Sequence, residues 1–209
     1  MPDTQALWIA VVVICIAVTL FFSIKKRTTF KRLQQLMAAE RWDEFDRLLD
    51  GKLTKMLYPR YNRDYLRLNS YLLREDHAHA EELFDLLLGL ELPKMQRVDL
   101  VIKAFNYYAG RENKAKAKEL LTEIKGYEGD RADAVKHECQ LMYDTMILKR
   151  HNDIAELERM VEEAQGDTLK RGRLEYLLAL QYRNKGDEAK FDEYVAKAAH
   201  DSYGSASVA

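Results

Sequence analysis

Cysteine is nearly missing from this chain of 209 residues, which holds only Cys15 and Cys139. One thiol inside an apolar run and one elsewhere exclude a disulfide framework, a paired-cysteine metal knuckle and a dithiol redox motif. Proline occurs three times and glycine nine times, and neither a glycine-rich phosphate loop nor a strained nucleophile turn can be drawn. Sustained apolar–polar alternation between hairpin turn signals is also lacking, so nothing points to a sheet. Nor is there an excess of charge of either sign. Lys and Arg number 33 against 34 for Asp and Glu, a formal net charge of −1, and such a surface exerts no global pull on nucleic acid. The expectation is a protein that is not an enzyme and carries no cofactor.

What is present begins with an apolar run. Residues 6–24, ALWIAVVVICIAVTLFFSI, carry no charge. As a helix they rise about 28 Å, close to the ~30 Å hydrocarbon core of a bilayer. A cleavable signal peptide places cations before its apolar segment, but residues 1–5 contain Asp3 and no Lys or Arg. The cations Lys25, Lys26 and Arg27 follow the run, and Trp8 sits near its other end, where an indole suits the interface. Positive flanks stay in the cytoplasm. The expectation is a retained single-pass transmembrane helix at the cell membrane, with residues 1–5 outside and the remaining chain cytoplasmic.

Beyond residue 25 the sequence repeats itself. ERWDEFDRLL (40–49), EDHAHAEELF (75–84), ENKAKAKELL (112–121), NDIAELERMV (152–161) and GDEAKFDEYV (186–195) align. Each opens on a polar or glycine turn pair, then places an apolar residue five positions on and another four later. These pairs are Phe45/Leu49, Ala80/Phe84, Ala117/Leu121, Leu157/Val161 and Phe191/Val195. Leu36, Tyr71, Tyr108, Leu148 and Tyr182 stand four positions before the turns, on a preceding helix, and Pro59 and Pro93 fall in links between units, where proline stops a helix. The spacing predicts helix pairs at 29–39 with 41–50, 61–74 with 76–89, 95–109 with 112–126, 131–149 with 152–165, and 169–185 with 187–199. Nothing between Ile24 and Phe30 breaks a helix, so the apolar run is expected to continue into the first pair. Residues 201–209 are small and polar and are expected to be a disordered tail.

A helix–turn–helix unit of this length, recurring about five times over residues 25–200, resembles the tetratricopeptide repeat family. The resemblance implies an all-α solenoid in which neighbouring hairpins bury one another's apolar faces. It also implies that the first helix of each pair lines a concave groove receiving peptides, with Tyr65, Asn69, Ile102 and Asn106 facing it. Asn69 and Asn106 share a repeat position, where an amide can hold a peptide backbone. Tyr65 stands where the family's clamp for acidic C-termini needs a lysine, so that ligand is not implied. The helix bearing Phe191, Tyr194 and Val195 closes the array without a solvating helix after it. Its flank is expected to contact a second copy or the partner.

Two further constellations carry charge. Between Lys52 and Arg74 six cations face one acid, Asp64. At 100° per residue, Arg60, Arg63, Arg67 and Arg74 form one stripe, interleaved with tyrosines. It reads as a site for an anionic partner, lipid headgroups, an acidic peptide or nucleic acid, or as a solvated face whose arginines pair with acids on the next helix. His77 and His79, with Glu81 and Glu82 nearby, are the best metal candidates, but imidazoles two apart on a helix point about 200° apart. They read better as a polar first turn capped by Asp76. The functional expectation is a membrane-anchored scaffold that binds other proteins through the groove. The alternative is anionic lipid or nucleic-acid binding through residues 52–74.

Overall fold

The computed structural model describes residues 2–129, 132–164 and 166–206, and the side chains of all of these except 2–7, 10 and 202–206. The described residues form eleven helices and no strand. They divide into two compact units, Met1–Glu91 and Leu92–Ala209.

The first unit holds α1 (Pro2–Ala38), α2 (Trp42–Leu49), α3 (Lys52–Leu57), α4 (Arg60–Leu73) and α5 (His77–Leu88). Helix α1 is unbroken, as the absence of Gly and Pro between Ile24 and Phe30 requires. Every side chain from Val11 to Thr28 is exposed, and burial begins at Thr29. Leu33 and Leu36 then close a core cluster with Phe45 and Leu49 of α2, where each buried Leu or Phe contributes about 1.5–3 kcal/mol. Among the described residues no helix is long and apolar enough to cross a membrane. The uninterrupted described apolar stretch, 11–24, rises about 20 Å. The side chains of Ala6, Leu7 and Ala10, which belong to the expected span, lie outside the described residues.

The second unit holds α6 (Lys94–Gly110), α7 (Lys114–Lys125), α8 (Ala132–Met146), α9 (Ile154–Glu163), α10 (Thr168–Lys185) and α11 (Glu188–Ala206). Helices α6 and α7 pack as a hairpin, as do α10 and α11, while α8 packs on α6, α7 and α10 and α9 on α10. Helix α11 runs to Ala206, past the stop expected at residue 199. Asp201 is the reason: its buried carboxylate receives Arg171 Nε and Nη2 of α10 and ties the added turn down. Residues 207–209 of the expected tail lie outside the described residues.

The turns repeat more strictly than the sequence does. Glu40, Glu75, Glu112, Lys149 and Gly186 all adopt positive φ, at 53°, 56°, 55°, 54° and 86°. At four of the five, the next residue's N–H donates to the carbonyl five positions back: Arg41 to Leu36, Asp76 to Tyr71, Asn113 to Tyr108 and Asp187 to Tyr182, each at 2.9 Å. This left-handed closure satisfies carbonyls that a helix end leaves free. Asp76, Asn113 and Asp187 then cap the following helix, accepting from the backbone N–H groups of His79, Lys116 and Lys190. Pro59 and Pro93 are the N-cap residues of α4 and α6, in the expected links.

The fourth unit corrects the register. Its turn is at Lys149, not at Asn152–Asp153, and Arg150 N–H reaches back six residues to Asp144. Leu148, expected inside, is 36% exposed, while Thr145, four before the turn, is 1% exposed. Arg150, His151 and Asn152 are an insertion between the turn and Asp153, the N-cap of α9. A buried amide holds this longer loop. Gln181 Nε2 donates to Thr145 Oγ1 at 2.9 Å and to Asp153 Oδ2 at 3.2 Å, and its Oε1 accepts Asp153 N–H at 2.9 Å. Asn184 adds hydrogen bonds to the carbonyls of Thr145 and Arg150.

The apolar pairs read from the sequence grade in burial along the chain. Phe45/Leu49, Ala80/Phe84 and Ala117/Leu121 are buried, as is Leu157, whereas Val161, Phe191 and Val195 are half-buried.

Candidate functional site

In the second unit α6, α8, α10 and α11 surround an apolar cleft of about 730 Å³. Ile102 and Asn106 reach it from α6, about one turn apart on a face beside the helix's buried Leu100 and Val101. Met142 and Met146 come from α8, Leu174 and Leu177 from α10, and Val195 and Ala198 from α11. The helical period explains the division: Leu178 and Tyr182 of α10 go into the core with Leu157, while Leu174 and Leu177 serve core and cleft together. Polar groups are confined to the rim. Lys170 Nζ pairs with Glu138 at 3.4 Å, and Asn106, Arg173 and Tyr176 are exposed there.

The lining of this cleft is mostly apolar and includes one thiol. Cys139 lines it, and burial and the neighbouring Glu138 push its thiol up to about 12, which favours the protonated form at neutral pH. Methionines give the lining adaptable shape. Among the described residues no group of three or more His, Cys, Asp or Glu is placed to hold a metal ion.

Of the four residues expected to face one groove, Ile102 and Asn106 line this cleft. Tyr65 and Asn69 are half-buried on α4 of the first unit, Tyr65 with its ring 5.8 Å from that of Tyr61. The two pairs therefore belong to separate units.

The arginine stripe is engaged within the fold. Arg67 Nη2 lies 2.8 Å from Asp50 Oδ2 and Arg74 Nη2 2.9 Å from both oxygens of Asp46, while Arg60 reaches Asp64 at 3.3 Å. Arg74 also lies over the Trp42 ring, 4.9 Å from its centroid. The acids that pair with Arg67 and Arg74 come from α2 and its C-cap, earlier in the chain, rather than from the next helix. Arg63 is half-buried, with Nε buried and unpartnered. Trp8, Lys25, Lys26 and Arg27 are exposed on α1, and Lys26 Nζ stands 5.5 Å from the centroid of Tyr58.

His79 takes part in the α5 cap. Its Nδ1 is 2.7 Å from Asp76 Oδ2 and its ring stacks on Tyr71. The hydrogen bond to Asp76 raises the His79 pKa and lowers that of Asp76.

At the C-terminal end the aromatic flank is partly covered. Tyr194 stacks on Tyr182 at 5.5 Å, and Arg183 lies over Phe191 at 5.2 Å. Sequence reasoning missed the buried Glu175, whose Oε2 has no hydrogen-bond partner. Burial first, then Asp201, raises its pKa. The only signal in the sequence was a lone acid before the apolar run 176–180. Gln181 gave a similar signal as a lone amide after that run.

No protein-family model matches the chain, and neither a curated protein nor a solved structure matches it.

Proposed function

We propose that this protein is a single-pass membrane platform whose helical repeats hold a partner protein in the apolar cleft of the second unit. The observation that carries the reading is the cleft itself. Two residues chosen by repeat register alone, Ile102 and Asn106, meet Met142 and Leu177 in an apolar space with polar groups only at its rim. A concave, mostly apolar site with few polar groups is suited to anchoring side chains of another molecule. The recurrent left-handed turns support the tetratricopeptide-like solenoid, in which such a surface is built by stacked hairpins.

The anchor rests on the uncharged run 6–24 and on its continuation, within one helix, into the first packed hairpin. Cations only on the C-terminal side orient the repeats towards the cytoplasm. The platform works by positioning, without catalysis and without a cofactor. Three of the four stripe arginines, Arg60, Arg67 and Arg74, are paired internally, which weakens the alternative anion-binding reading of residues 52–74.

Proximity labelling from the full chain in cells tests the proposal. Ile102→Arg and Met142→Arg should each remove a common set of protein neighbours while membrane fractionation stays unchanged. A C-terminal reporter active only outside the cytoplasm should be silent. An unaltered neighbour set would refute the cleft as the binding site, and a strong reporter signal would refute the orientation.

A further inference from the structure

The short helix α3 was not foreseen, and its placement assigns it a surface. Thr54 turns inward, donating to the Leu48 carbonyl at 2.7 Å. Tyr58, the C-cap of α3, is buried and its hydroxyl donates to the Lys26 carbonyl of α1 at 2.5 Å. The end of α3 is thus fastened to α1 at Lys26. That residue lies two positions beyond Ile24, about 3 Å further along the helix axis. α3 therefore stands where the uncharged run gives way to Lys25, Lys26 and Arg27.

The outward face of α3 has an unusual composition for an ordinary water-facing turn. Leu53 is 42% exposed and Met56 64% exposed, three residues apart on one side. Lys52 and Lys55 flank them and are also exposed. Lys55 is 3.8 Å from Asp50, which Arg67 already engages at 2.8 Å. Lys25, Lys26, Arg27 and Lys52 form no ion pair with another described residue. In this unit Arg60, Arg67 and Arg74 engage Asp64, Asp50 and Asp46, whereas the α1–α3 junction carries several cations without an acidic partner.

We propose that α3 docks on the anionic headgroup layer of the bilayer that holds α1, with Leu53 and Met56 entering the interface and Lys52 and Lys55 meeting lipid phosphate. The inference rests on the anchor reading of residues 6–24. Two observations select a lipid surface over a protein partner: the level fixed by the Tyr58–Lys26 bond, and the packing of α3 directly on α1. Apolar side chains beside lysines are the composition of helices that lie in an interface, and each cation near an anionic surface adds attraction.

The test uses the full chain in vesicles of phosphatidylcholine with and without phosphatidylglycerol. A fluorophore is attached at Leu53→Cys or Met56→Cys in a Cys15→Ala background. Cys139 is buried, and burial keeps its thiol protonated. With phosphatidylglycerol present, a nitroxide on the lipid headgroup should quench both probes, and iodide in the water should quench them several-fold less than a probe at Lys118→Cys. Lys52→Gln with Lys55→Gln should remove the dependence on phosphatidylglycerol. Alkaline extraction of the same vesicles reads the anchor separately: a chain that is extracted refutes the anchor. A chain that stays integral while both probes remain open to iodide refutes the docking of α3 alone. Probes shielded from iodide yet untouched by the lipid nitroxide would overturn the inference in favour of a protein cover.

Discussion

The two units solve one problem by different means. In the first, α4 buries only Leu68 and Ser70, and its α2-facing side is closed by Arg67–Asp50 and Arg74–Asp46. In the second, α10 buries nine residues, most of them apolar, with the amide Gln181 and the carboxyl of Glu175 among them. Both begin from similar left-handed turns. The difference shows that a repeated turn fixes where helices reverse and leaves open what fills the space between them. The cleft lies beside α10, whose Leu174 and Leu177 line it, while the charge pairs of α10, Lys170–Glu138 and Arg171–Asp201, involve its first turn.

Substitutions can test that contrast directly. The largest effect is expected at Gln181→Leu, which leaves the Asp153 N–H and the Thr145 hydroxyl without their partner in a buried setting. A buried group stripped of its hydrogen bond costs about 2 kcal/mol. Arg74→Gln should cost about 1 kcal/mol or less, because water reaches the Asp46 carboxylate it leaves behind. Denaturant midpoints of the full chain in detergent measure both. Added salt should shrink the Arg74 effect and leave the Gln181 effect unchanged. Equal salt sensitivity would erase the distinction between the units.

Glu175 sharpens the comparison through pH. Its folded pKa is raised by burial and by Asp201, so the folded state holds the proton more tightly than the unfolded chain does. Stability from this group therefore falls as pH rises from the ordinary carboxylate value through the raised one, and the penalty is complete above it. Glu175→Gln should stabilise the second unit by about 1 kcal/mol at neutral pH. The gain should vanish below pH about 4, where the carboxyl is protonated in both states. A stability gain independent of pH would show that charge is not the cause.

The smallest effect belongs to the shared turn. Glu75 occupies a left-handed conformation at φ 56° that Gly186 adopts without a side chain. Glu75→Gly should raise the unfolding midpoint, a gain of about 0.5–1 kcal/mol. Gly186→Ala should lower it by a similar amount. An unchanged midpoint in both would mean that turn conformation contributes little to either unit.

Most of the helix layout was legible because it is local. Turn pairs at Glu75, Glu112 and Gly186 announce themselves through an acid or glycine followed by a capping Asp or Asn, and the apolar spacing after them sets the buried face. The fourth turn misled because Asn152–Asp153 resembles the others. Its true position depends on Gln181 and Asn184, which lie about thirty residues away in sequence, on α10 beyond the intervening α9. The partners of Arg67 and Arg74 were misplaced for the same reason: periodicity says which face a side chain takes, not which helix supplies its acid. Two residues of the cleft, Ile102 and Asn106, followed from repeat position, whereas Met142, Leu177 and Val195 required the packing of α8, α10 and α11.

The most direct measurement places a photo-crosslinking amino acid at Met142 in the full-length protein in cells, with a second at Lys118 on the exposed side of α7. The Met142 probe should yield a discrete protein adduct in the membrane fraction that is lost when Ile102→Arg is added. The Lys118 probe should not form that adduct. The same adduct from both positions, or a Met142 adduct that survives Ile102→Arg, would contradict the proposal that the cleft holds the partner.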